Sequence, residues 1–177
     1  MFLIFDEINI LLLLAVGLNL LLLAVVFFNG RKNKINLTYS AIGLAVIVWI
    51  WGMIFYRSAP AESSLLWGTI LYINATFIPS IFLYFTYIFP RREEKLTWLI
   101  PAIIFGLNGL IVLLTSWPGL IIQAVNLRPG LEKEIIFTPY YWFYFIYISS
   151  LFTFGFYRLF QKYRQSRGIA RQQILYV

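Results

Sequence analysis

The sequence contains neither cysteine nor histidine. Without cysteine there is no disulfide framework, no thiolate nucleophile and no sulfur-held cluster. Without histidine as well, nearly every zinc or haem centre is excluded. Charge is scarce too: 12% of the 177 residues are charged, about half the share of an ordinary soluble domain. The carboxylates Asp6, Glu7, Glu62, Glu93, Glu94, Glu132 and Glu134 all fall at the margins of apolar runs. Ion pumps and proton-coupled carriers place carboxylates or histidines inside the bilayer. Hydrolysis within a membrane needs a nucleophile with a base, a metal or an acid pair. The spans supply none of these sets. The reading is therefore of no catalytic residue, no metal site and no cofactor, and of a chain that is not itself an enzyme.

What the sequence has instead is apolar surface. Hydrophobic residues make up 61% of it and the mean hydropathy is +0.81. A globule of this size cannot bury so much, and a bilayer is its natural solvent. Five runs, at 8–28, 36–56, 66–89, 97–116 and 140–160, reach the roughly 20 residues that a helix needs to cross about 30 Å of hydrocarbon. They are continuous rather than alternating, which predicts helices and not the strands of a barrel. The first run reads as a retained span, because Asp6 and Glu7 precede it in place of basic residues. The expected fold is all-α: one polytopic transmembrane helix bundle in the plasma membrane, with the lipid bilayer as its first partner.

Net charge is +7, and its placement argues for membrane orientation rather than nucleic acid. Arg31, Lys32 and Lys34 follow the first span; Arg91, Arg92 and Lys95 follow the third; Arg158, Lys162, Arg164, Arg167 and Arg171 close the chain. Only Arg57, Arg128 and Lys133 belong to the other side. Short basic connections stay in the cytoplasm, so the N-terminus is expected outside and the C-terminus inside. The long connection between the fourth and fifth spans holds two apolar pieces around Pro129–Gly130, a pair suited to the centre of a type II turn. A small extracellular hairpin is expected there, the alternative being an irregular loop on the membrane surface.

The third span carries the most polar residues. Tyr72, Thr76, Ser80 and Tyr84 recur every fourth position and so share one helix face, with Asn74 on a neighbouring one. Pro79 lacks an N–H, which leaves the carbonyl of Ala75 without its helical partner and predicts a kink. The functional reading makes these five residues a ligand-binding set and Pro79 its hinge; the alternative is hydrogen bonding between helices. Asn19 and Asn108, each mid-span, are expected to be structural and to pair with one another. Ala41, Ala45, Gly106 and Gly109 are expected to let helices approach closely. Tryptophans and tyrosines near span ends, such as Trp98, Trp117 and Tyr140, suit the membrane interface.

Two stretches carry a resemblance. "FIPSIFLYFTYIFPRREEKLTWLIP" resembles the third-to-fourth helix region of the seven-helix N-terminal sensor region of bacterial histidine kinases, with a proline inside helix three, an aromatic run and a short basic loop. "YYWFYFIYISSLFTFGFYRLFQKYRQSRGIARQQILYV" resembles the fifth helix of that region and the step toward a sixth. The resemblance implies seven helices followed by a cytoplasmic output domain such as a kinase, and it implies no catalytic residue in this chain. Residues 172–177 then read as the start of a missing sixth span and the chain as part of a longer protein. The function expected is a sensory, signal-transducing membrane module, responding to a small or lipophilic ligand and capable of forming a homodimer. The alternative is a transporter or channel component, or a non-catalytic membrane subunit.

Overall fold

The computed structural model describes residues 4–30, 32–90, 97–127 and 133–166, together with Gln172 and Ile174. Five helices in this set are long and apolar enough to cross a membrane. They are α1 (Glu7–Gly30), α2 (Lys34–Ser58), α3 (Ala61–Ile88), α4 (Leu99–Ser116) and α5 (Tyr141–Gln165), with strands β1 (Ile122–Leu127) and β2 (Lys133–Phe137) between the last two helices. The fold is the expected polytopic helical bundle.

Two boundaries fall outside the apolar runs, for local reasons. α3 begins at Ala61, ahead of the run, because Pro60 supplies its N-cap and the hydroxyl of Ser64 donates back to the Pro60 carbonyl at 2.9 Å. α5 continues to Gln165, past the apolar stretch, where Lys162 and Arg164 place positive charge on its C-terminal turn. α2 opens on Asn33, whose side chain accepts the Ile35 N–H at 3.0 Å.

α3 is the hub, packing against α2, α4, α5 and β1, while α1 packs on α2. Three apolar clusters result. Val16, Ile47, Ile50 and Ile54 join α1 to α2. Ile121, Ile122 and Tyr144 form a second at the end of the bundle that carries the strands, the hairpin end. Phe85, Phe89, Leu159 and Ile174 form the third at the opposite, basic end. Gln172 and Ile174 are helical, and Ile174 is buried in that cluster; the rest of 172–177 lies outside the described residues. The glycines that admit neighbours are Gly52, against Leu71 and Asn74, Gly68, against Tyr56, and Gly155, against Phe82. Gly106 and Gly109 have open space where a side chain would stand. The small face of α4 turns away from the described helices, contrary to the sequence expectation.

The hairpin is present as an antiparallel pair with Asn126 opposite Glu134 and Val125 opposite Ile135, interrupted by an irregularity between Ile122 and Ala124. Its tip at Pro129–Gly130, where a type II turn was expected, lies outside the described residues. A Pro–Gly turn does occur one step earlier. Pro118 and Gly119 carry the chain from α4 toward β1, with Gly119 at φ 72° and the Leu120 N–H donating to the Trp117 carbonyl at 3.1 Å. Trp98, Trp117, Tyr140 and Trp142 are exposed at helix ends, as interfacial residues should be.

Polar contacts tie the hairpin end together. Arg57 pairs with Asp6 and donates through Nε to Asn9 Oδ1 at 3.0 Å. The Asn9 amide in turn donates to the Ile4 carbonyl at 2.6 Å. The backbone N–H of Asn9 holds the Asp6 carboxyl below its ordinary value; burial opposes this and Arg57 adds to it. The contribution of Asp6 is therefore complete above the ordinary value of 3.8 and is lost as pH falls through the depressed one. Hydrogen exchange in residues 4–10 should accelerate in that acidic window, and Asp6→Asn should abolish the pH step. At the other end, a Cβ on Gly155 would lie 2.6 Å from Cε1 of Phe82, whose ring is packed against Phe152 and Phe156. Gly155→Val should therefore cost about 1–3 kcal/mol of overpacking, visible as a lowered melting temperature in detergent. An unchanged melting temperature would mean that α3 and α5 are not in close contact there.

Candidate functional site

Thr76 and Ser80 are fully buried, and α3 runs as one helix through Pro79. The Thr76 hydroxyl donates to the Ile73 carbonyl at 2.8 Å. Ser80 Oγ lies 2.9 Å from the Thr76 carbonyl, 3.2 Å from Asn108 Oδ1 on α4 and 2.9 Å from the Tyr147 hydroxyl on α5. Tyr147 closes the triangle by donating to Asn108 Oδ1 at 3.2 Å. Two hydroxyl protons are thus shared among the Thr76 carbonyl, the Asn108 carbonyl and the two hydroxyl oxygens. Several directions of donation satisfy the same geometry. The group is neutral and holds no base, so it cannot activate a nucleophile. What it does is fix the register of three helices where no water can replace a lost bond.

Towards the hairpin end, Tyr72 enters an aromatic cluster rather than a polar stripe. Its ring centroid lies 5.3 Å from Phe137, 5.4 Å from Tyr144 and 6.3 Å from Tyr141. Tyr144 donates its hydroxyl to the Tyr72 carbonyl at 2.8 Å. The hairpin is anchored beside this cluster by Lys133, whose ammonium donates to the carbonyls of Tyr56 and Ala59 at the end of α2 and lies 5.3 Å from the Tyr56 ring. Those carbonyls belong to the last turn of α2, where helical partners run out and the helix dipole is negative. Burial pushes the Lys133 pKa down, and Arg57 nearby pushes it in the same direction.

The basic end repeats the device on α3. Lys162, itself buried, donates to the carbonyls of Tyr87 at 3.1 Å and Phe89 at 2.8 Å, and the Arg158 guanidinium sits 3.7 Å over the Tyr87 ring. α5 therefore holds α3 at three depths: through Tyr144 near the hairpin, Tyr147 at mid-depth and Lys162 at the basic end.

The residues singled out in the sequence separate accordingly. Ser80 and Asn108 meet, with Thr76 beneath them. Tyr72 joins the aromatic cluster. Tyr84 packs on Phe105 of α4, with ring centroids 6.0 Å apart, and Asn74 lies against Gly52 of α2. Asn19 and Asn108 do not pair: Asn19 donates to the Ala15 carbonyl of its own helix at 2.8 Å, and α1 packs on α2 rather than α4. Tyr144, Tyr147 and Lys162 were not singled out. Tyrosine is abundant at the start of α5, so Tyr147 does not stand out by composition. Its three-residue spacing from Tyr144, which puts both on one face of α5, was the available signal.

Residues 11–177 match a known family, the N-terminal 7TM region of histidine kinase. The chain belongs to that family. No curated protein and no solved structure matches it. As a histidine-kinase membrane region it is a multi-pass, non-catalytic sensory module, and the polar triangle and the α3–α5 contacts are features of that module. The transporter alternative gains no support. In this sensor region, Asn108→Leu and Tyr147→Phe should each lower stability, by an amount in the range of about 0.6–2 kcal/mol per interhelical bond. The double variant should fall short of the sum, since each single change already breaks the shared bond. Strict additivity in detergent unfolding would show that the two side chains do not interact.

Proposed function

We propose that this chain is the stimulus-receiving part of a longer histidine kinase and that α3 and α5 together carry the signal across the membrane. The observation that carries this reading is the hydrogen bonding of α5 to α3 at three depths, from Tyr144 to Lys162. A stimulus that displaces the hairpin or the Tyr72–Tyr141–Tyr144 cluster displaces both helices, and both end on the basic side. In this reading the hairpin lies outside and the basic end lies in the cytoplasm, as the eleven-to-three partition of basic residues supports. The output this region serves is, by the family's description, a kinase. The stimulus is a small or lipophilic molecule acting at the hairpin end, and the working unit is a homodimer.

The reading is tested in the full-length protein in membranes. Tyr144→Phe, Tyr147→Phe and Lys162→Met should each change basal autophosphorylation about fivefold, the effect of roughly 1 kcal/mol on a two-state balance. Leu21→Val, on the exposed face of α1, is the control and should leave it unchanged. Spine variants that behave like the control would overturn the signalling role. Reporter fusions at Gly30 and Gly168 should read cytoplasmic and one at Gly130 external; the opposite pattern would invert the orientation.

A further inference from the structure

Hydroxyls on these helices follow one pattern. Buried ones such as Thr76, Thr86 and Thr115, and less buried ones such as Thr69 and Ser116, donate to a backbone carbonyl three or four residues earlier. α5 departs from it. Ser149, Ser150 and Thr153 make no hydrogen bond among the described residues. Ser40 of α2 is also without one, but it stands alone and is buried inside the bundle. The α5 hydroxyls stand together, and Ser150 and Thr153 are exposed on its outer side. Ser150 lies about 14 Å and Thr153 about 18 Å from the start of a helix about 37 Å long, at 1.5 Å per residue. That is mid-bilayer, where no water reaches them and lipid chains offer neither donor nor acceptor.

The face they occupy is a seam. Phe143, Ile146, Ser150, Thr153, Tyr157 and Phe160 follow one another at alternating steps of three and four residues, the spacing that brings two helices together side by side. All six are exposed. Large side chains stand toward both ends with the two small ones between them, and the groove of about 750 Å³ over this stretch is lined by α5 residues alone. The side of α5 that meets α3 is a different one, with Tyr144, Gly155 and Lys162 buried in it. After α5 the chain turns inward rather than back over the seam: Ile174 is buried beside Phe85 and Leu159.

We infer that this seam is the contact between two copies of the chain in the membrane. The inference names the interface of the homodimer proposed above and rests on that reading. Copies of one chain insert in one orientation and so meet parallel. A two-fold axis along the bilayer normal then sets each residue against its own equivalent at the same depth. A hydroxyl both donates and accepts, so Ser150 meets the partner's Ser150 and Thr153 the partner's Thr153, and neither pair needs anything else. An apolar helix in the same place would leave these hydroxyls as lipid does. None of the six seam residues is charged, so the copies meet there without repulsion. The small pair lets the helices approach closely, and Ile146 and Tyr157 pack on either side of it.

Disulfide trapping in the full-length protein in native membranes tests this. Residues 1–177 contain no cysteine, and any beyond them are replaced. Ser150→Cys and Thr153→Cys should each give cross-linked dimers under mild oxidation. Leu18→Cys on the outer face of α1 and Leu110→Cys on that of α4 should not. With Ile146→Cys as the reporter, Ser150→Ala and Thr153→Val together should lower cross-linking about fivefold, the loss of roughly one hydrogen bond. Ser150→Thr with Thr153→Ser, which keeps both hydroxyls, should retain it. These changes remove no bond within one copy, so the amount of inserted protein should not fall. Unchanged trapping in the alanine–valine variant, or a mixed adduct of Ser150→Cys with another protein, would overturn the assignment. Trapping at Leu18 or Leu110 in place of Ser150 and Thr153 would overturn the seam and leave the homodimer standing. A protein that is monomeric by single-molecule photobleaching and cross-links nowhere would overturn both.

Discussion

Inside a bilayer a polar group has no water to turn to, and this constraint orders the structure. Most buried donors and acceptors find their partner in their own helix or in a neighbouring element. Most serines and threonines here take the first course and bond to their own backbone. Ser80, Asn108 and Tyr147 take the second, and lysines bring the same logic to the helix ends. Lys133 covers the last carbonyls of α2 and Lys162 those of α3. In each case one ammonium on a neighbouring element satisfies carbonyls that the helix itself leaves open. Partner scarcity thereby converts a few polar residues into the joints of the bundle, and apolar packing fills the space between them.

The division between joints and filler also explains the glycines. Those that matter, Gly52, Gly68 and Gly155, sit where a large side chain of another element comes close. The aromatic residues divide in the same way. Trp98, Trp117, Tyr140 and Trp142 stay at the surface near helix ends, while Tyr72, Tyr141, Tyr144 and Phe137 turn inward beneath the hairpin. Composition alone does not distinguish the two groups; position relative to β1 and β2 does.

The spans were legible because hydrocarbon thickness fixes a length, and an apolar run of that length has few other readings. The hairpin was legible as two apolar pieces flanking Pro129–Gly130, and its strands stand on either side of that pair. Ser80 and Asn108 could be picked out as polar residues in apolar runs, but their meeting could not. Helix neighbours follow from packing, and nothing in the spacing of Asn19 and Asn108 reveals that α1 touches α2 while α4 touches α3. What faces the Tyr72–Tyr84 stripe could not be read for the same reason: polar residues on one helix face say that something meets them, and at Ser80 that is Asn108 and Tyr147. Lys162 was legible as charge and illegible as a cap, because its partners are backbone atoms that carry no sequence signature.

α3 and α5 run parallel, and their three hydrogen-bonded contacts are spread along most of their shared length. Two rods clamped at three points cannot slide past one another; they tilt, rotate or shift as one beam. α1 differs: beyond its tie to Arg57 at the hairpin end, the cluster joining it to α2 is built of aliphatic side chains that can slip by a rotamer without breaking a bond. The bundle thus has a stiff member and a compliant one side by side. A mechanical input at the hairpin would travel along the stiff member with little loss, while α1 would take up differences in bilayer thickness as a loose outer stave.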